Sequence, residues 1–115
     1  MMDFNAYQKQ AITTDTMGGV PQPIDSHAFM AQLLGLLGET GEVAEKFKKI
    51  LRDKNGVMSL EDEKEMSKEL GDILWYLSVV CTYLGISLQD VAEANIEKLM
   101  SRKARGVLKG SGDNR

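Results

Sequence analysis

Histidine and cysteine occur once each in this sequence, as His27 and Cys81, and the two prolines, Pro21 and Pro23, stand almost together. A lone cysteine inside an apolar run excludes an intramolecular disulfide and fits a reducing compartment. A lone histidine near a helix start reads as a surface or capping residue, and it excludes the paired Glu-x-x-His motifs of di-iron bundles. No stretch reaches about 18 uninterrupted apolar residues, and the amino terminus lacks a charged-then-apolar signal pattern. Neither a membrane partner nor export is therefore expected, and the chain reads as cytoplasmic. An excess of positive charge is missing too: the net charge is −3, whereas a general nucleic-acid binder should be basic. Long alternating runs are absent, which argues against a sheet.

What remains is a chain of 115 residues, 43% hydrophobic and 27% charged, the composition of one folded domain small enough to profit from a partner subunit. Four helices are expected. The first covers roughly Phe4 to Thr16 and ends in the loop Met17-Gly18-Gly19-Val20-Pro21-Gln22-Pro23. Asp25 or Ser26 caps the second, which Asn55-Gly56 stops. Ser59-Leu60-Glu61-Asp62 reads as a capping box opening the third, closed by Gly85. Ser87-Leu88-Gln89-Asp90 opens the fourth, ending near Arg105-Gly106. The expected architecture is all-α and of four-helix-bundle type, with one domain over residues 1–109 and a flexible tail over 110–115.

Within the second helix, "LLGETGEVAEKF" places Gly35, Gly38 and Gly41 three apart, each costing about 1 kcal/mol relative to alanine. Met30, Leu33, Leu37, Ala44, Phe47 and Leu51 form a broad apolar arc, flanked by Phe29, Leu36, Val43 and Ile50. Glu39 and Glu42 share a face at the edge of that flank, where a solvated edge or a ligand pair would explain them equally. The third helix is apolar almost all round from Ile73 to Leu84, and its wheel points Glu69 and Asp72 toward the interior side. Carboxylates placed there need a cation. Lys98 or Arg102 of the fourth helix could supply it. Alternatively, two acidic pairs on antiparallel neighbours could gather four carboxylates around a hard divalent ion, Mg²⁺ first and Mn²⁺ as a substitute.

Taken together, "GLLGETGEVAEKFKK", "KELGDILWYLSVV" and "ANIEKLMSRKARG", in that order, resemble the MazG-like family of all-α nucleoside triphosphate pyrophosphohydrolases. The opening "FNAYQKQA" is similar to that of its small single-domain members. Where the family usually reads EExxE, this chain has Gly38-Glu39-Thr40-Gly41-Glu42, a GExGE form that several small relatives share. The resemblance implies that Glu39, Glu42, Glu69 and Asp72 are the catalytic acids and hold Mg²⁺. It implies cleavage of a nucleoside triphosphate between the α and β phosphates, giving a monophosphate and pyrophosphate, in nucleotide-pool housekeeping. It places Asn95, Lys98 and Arg102 at the nucleotide, and it implies a homodimer or homotetramer with sites near subunit contacts; Lys49, at the end of the second helix, is a weaker phosphate candidate by its position alone.

Glu45 could orient the attacking water or simply pair with Lys49 on the surface. Tyr7, Gln8 and Trp75 could shape a base pocket or pack the core. Gly38 and Gly41 would leave room beside Glu42 for a phosphate or a close helix. A competing class is a catalytically inactive helical nucleotide-binding or interaction protein on the same bundle, which metal and nucleotide binding without turnover would reveal.

Overall fold

Serines start three of the four helices. Ser26, Ser59 and Ser87 lie in extended backbone, and their hydroxyls accept the N–H of Phe29, Asp62 and Asp90. Asp3 does the same for Ala6. The resulting helices are α1 (Phe4–Ile12), α2 (His27–Lys54), α3 (Leu60–Leu84) and α4 (Leu88–Ala104). This computed structural model describes residues 1–18 and 21–115; Gly19 and Val20 of the expected loop lie outside the described residues. The Ser59–Asp62 capping box is reciprocal. Gly85 closes α3 at φ 73°, a left-handed position that a side chain would strain. α1 stops at Ile12, short of the expected Thr16, because the Thr13 and Thr14 hydroxyls bond back to the carbonyls of Gln10 and Ala11.

α2 and α3 form an antiparallel hairpin. Partners climb one helix as they descend the other: Lys54 with Asp62, Lys46 with Glu69, Phe29 with Tyr83. Gly35 faces Tyr76, whose ring occupies the space a Cβ would need. That glycine has a packing reason, whereas a Cβ at Gly38 or Gly41 would meet nothing within 4 Å in this chain. The core is small and centres on Phe29, Val79 and Tyr83, with Ile12, Leu33, Trp75 and Val80 around them. The Trp75 indole N–H donates to Thr14 Oγ1 (2.8 Å) and the Ala11 carbonyl (3.3 Å), which ties α1 to α3. Below it, Asp15 accepts the Tyr83 hydroxyl, the Gln32 amide (2.8 Å) and the Met17 N–H (3.1 Å).

The chain turns by 104° between α3 and α4. Gln8 clamps that corner, donating to Thr82 Oγ1 and the Ile86 carbonyl, both at 3.0 Å, and accepting the Leu88 N–H at 2.8 Å. α4 consequently packs on α1 and α3 and not on α2. This leaves α2 with one helical neighbour and inverts its expected faces. The flank Phe29, Leu36, Val43 and Ile50 turns inward, while Met30, Leu37, Ala44, Phe47 and Leu51 of the broad arc are exposed. From Ile73 to Leu84, α3 is buried or half-buried on most sides, with only Leu77 and Leu84 of that stretch exposed. The radius of gyration is 17.0 Å, against about 13 Å for a compact domain of about this length. No single helix among the described residues is long and apolar enough to cross a membrane.

Candidate metal centre

The hairpin register brings the acids of its two helices together. Glu39 from α2 and Glu69 and Asp72 from α3 each offer a carboxylate oxygen, and these oxygens lie within 4.8 Å of one another. Glu42 stays outside that triad, exposed on the rim. Three residues along a helix is about 60° short of a full turn, so Glu42 stays beside Glu39 on the same face but one step further from α3. Glu69 and Glu39 are partly buried, but Asp72 is exposed rather than directed inward as expected.

Charge is crowded here. Burial is the largest influence raising the Glu39 carboxyl above its usual range, followed by its hydrogen bond to Glu69 and repulsion from Glu42, Glu69 and Asp72. Its Oε2 is buried and has no hydrogen-bond partner. Glu69 moves the opposite way, held down first by the Lys46 ammonium and then by the hydrogen bond from Glu39. Lys46 is the cation that sequence reasoning missed: it pairs with Glu69 across the hairpin. It lies one heptad beyond Glu39 on the same face of α2, so the spacing carried the signal once the register was known. Lys98 and Arg102 do not serve this purpose.

One lysine against three or four carboxylates leaves the site short of positive charge. An all-oxygen donor set with an orphaned buried oxygen fits a hard divalent ion better than any other cofactor. Glu39, Glu69 and Asp72 would hold it, with Glu42 on the rim.

Beside the triad a cleft of about 310 Å³ runs between the end of α2 and the start of α3, lined by Lys46, Lys49, Ile50, Lys54, Asp62 and Glu65 among others. Lys49 lines this cleft with Lys46, but none of the three gathered acids does. Asn95, Lys98 and Arg102 have no contact with them within one chain, since α4 turns by 104° after α3 and does not touch α2. Asn95 is exposed. Lys98 donates to Asp113 Oδ1 at 3.2 Å, and Arg102, only 4% exposed, donates to the same oxygen at 3.2 Å and to the Asp113 carbonyl at 3.0 Å. Glu45 pairs with Lys48 at 3.5 Å, not with Lys49.

Of the candidates for a base pocket, Trp75 serves the packing of α1, and Gln8 the α3–α4 corner. Tyr7 is different. Its hydroxyl is raised first by burial and then by the charge of Asp72, one of the three gathered acids.

The MazG nucleotide pyrophosphohydrolase domain matches residues 27–107, the span that carries all four acids and the basic stripe of α4. The gene 37 protein of Mycobacterium phage L5 is 42% identical over 114 residues, covering 99% of this chain and 100% of that protein, under a name that states no activity. No solved structure matches. The all-α fold, the acidic pairs on α2 and α3, and the matched span lead to one conclusion: the chain belongs to the MazG nucleotide pyrophosphohydrolase family.

Proposed function

We propose that this protein is a Mg²⁺-dependent pyrophosphohydrolase that cleaves nucleoside or deoxynucleoside triphosphates between the α and β phosphates, in the housekeeping of a cytoplasmic nucleotide pool. The observation that carries the reading is the convergence of Glu39, Glu69 and Asp72 around an unsatisfied buried oxygen. When bound there, the ion supplies charge neutralisation on the phosphates and acidification of the attacking water. Mn²⁺ substitutes for it on the same oxygens.

The chain's own residues do the rest. Glu39, Glu69 and Asp72 would hold the ion, and the Lys46 ammonium keeps the Glu69 carboxyl below its usual range. Glu42, exposed beside Glu39, orients the water and takes its proton in this reading. Water adds to the α phosphorus, the bond to the α–β bridging oxygen breaks, and the electron pair leaves with pyrophosphate. Lys49 meets the departing phosphates from the adjoining cleft.

Asn95, Lys98 and Arg102 reach a nucleotide from a second subunit, because α4 points away from the acids of its own chain. The homodimer or homotetramer this requires would cover the outward stripe of α2, where Leu37 is 61% and Leu51 68% exposed. Sedimentation as a monomer at micromolar concentration would remove that part of the reading.

A panel of NTPs and dNTPs with Mg²⁺ tests the activity: pyrophosphate is the expected product, and orthophosphate as the primary product would rule out α–β cleavage. The existing neutralisation of Glu69 by Lys46 favours one other reading, a protein that binds nucleotide without turning it over. Nucleotide binding measured by calorimetry, with no product from any member of the panel, is its signature.

A further inference from the structure

The basic stripe of α4 is already engaged. Residues 110–115 fold back along it, and the contacts converge on one carboxylate. Asp113 Oδ1 accepts Lys98 Nζ and Arg102 Nη2, both at 3.2 Å. Arg102 Nη2 also donates to the carbonyls of Asp113 (3.0 Å) and Gly112 (3.4 Å). Arg105 donates to the Arg115 backbone oxygen at 2.9 Å. Arg115 in turn donates to the carbonyls of Val107 (3.1 Å), Leu108 (3.2 Å) and Gly112, which closes the segment into a loop.

The two sides of this clasp are unequal. The Arg102 side chain is 5% exposed and fixed in place, while that of Asp113 is 82% exposed. Arg102 Nε is buried and has no partner, so the guanidinium retains donor capacity that the segment does not use. A buried guanidinium with a spare N–H beside a lysine is a receptor for an oxyanion with several acceptor oxygens, which a single aspartate fills only in part.

We infer that Lys98 and Arg102 form an oxyanion site and that residues 110–115 are its built-in competitor, with the Asp113 carboxylate occupying the position of a phosphate group. A polyphosphate must displace the segment to bind, and the segment lowers the apparent affinity by the fraction of time it is docked. The identification of that oxyanion as the phosphate chain of a nucleotide rests on the function proposed above. The competition itself does not.

Calorimetric titration of metal-free protein with inorganic tripolyphosphate separates the two. Docking for about nine-tenths of the time predicts about tenfold tighter binding in Asp113→Asn and in a chain stopped after Lys109. Adding Lys98→Gln to either variant should remove the gain. Asp113→Asn alters one exposed side chain, so its outcome does not depend on whether the shortened chain folds. Equal affinity of Asp113→Asn and the unaltered protein overturns the inference even if nucleotide is hydrolysed. Tighter binding in the variants with no hydrolysis of any nucleotide would keep the competitor and discard the enzyme.

Discussion

Two partly buried acids meet the α2–α3 hairpin, Asp15 of the preceding loop at its open end and Glu39 midway along α2, and the two are treated in opposite ways. Asp15 is met by three donors, the Tyr83 hydroxyl, the Gln32 amide and the Met17 N–H. Glu39 sits among other carboxylates with a buried oxygen that no donor reaches. Folding rewards the first arrangement and penalises the second, because an unpaired buried polar atom costs about 1–3 kcal/mol. An acid that the fold satisfies is structural; one that it leaves unsatisfied, beside two more, is kept for something that arrives later. The basic stripe of α4 falls between these cases, for its charges are paired with a segment that can leave.

Crossed substitutions put that difference to its hardest test. Asp72→Asn removes a ligand without disturbing the hairpin, so turnover should fall about a thousandfold or more while melting temperature is retained, as suits the loss of several kcal/mol of charge stabilisation in the transition state. Asp15→Asn should do the reverse. Its amide cannot satisfy every donor now aimed at the carboxylate, and the cost is about 2 kcal/mol of stability with kcat nearly intact. Both readouts are accessible from one preparation by steady-state kinetics and thermal unfolding. An Asp72→Asn variant with full metal-dependent activity would end the assignment of the acids.

The contrast was only partly visible in the sequence. Local signals were legible because they act over three or four residues: Ser26, Ser59 and Ser87 cap helices, and Gly85 closes one. The acids on α2 and α3 were legible for the same reason, since each pair shares a helix. What could not be read was anything set by the angle between helices. The turn of 104° after α3 takes α4 away from α2, and this decides that Phe47 and Leu51 are exposed while Val43 is buried. It also leaves Glu69 to Lys46 instead of Lys98 or Arg102. A hydrophobic wheel shows that an apolar arc exists but not whether its neighbour belongs to the same chain.

A smaller effect sharpens the comparison through the metal itself. If Glu39, Glu69 and Asp72 repel one another until an ion arrives, Mg²⁺ at about a hundred times its Kd should stabilise the protein by about 2.7 kcal/mol, and chelator should reverse this. Glu39→Gln relieves the repulsion and supplies amide hydrogens in place of the orphaned oxygen. The variant should melt above the wild type in chelator and lose most of the response to Mg²⁺. An unchanged Mg²⁺ response in Glu39→Gln would show that the ion binds elsewhere.

The satisfied end can be probed by alkali, where the expected change is smallest. Burial, and after it the hydrogen bond to Asp15 and that group's charge, push the Tyr83 hydroxyl from 10.0 up to about 12. The folded state therefore holds this proton more tightly than the unfolded one. Its contribution to stability is complete below pH 10.0 and is lost as pH rises through about 12. Unfolding free energy followed across that interval should slope downward in the wild type and more gently in Tyr83→Phe, which begins about 1.5–3 kcal/mol lower because a hydrogen bond to a charged group is gone. Tyrosinate absorbance gives an independent check, since the Tyr83 phenol should ionise only as pH approaches about 12. Were it to titrate near pH 10.0 instead, Asp15 would lack the donor that makes it the structural counterpart of Glu39.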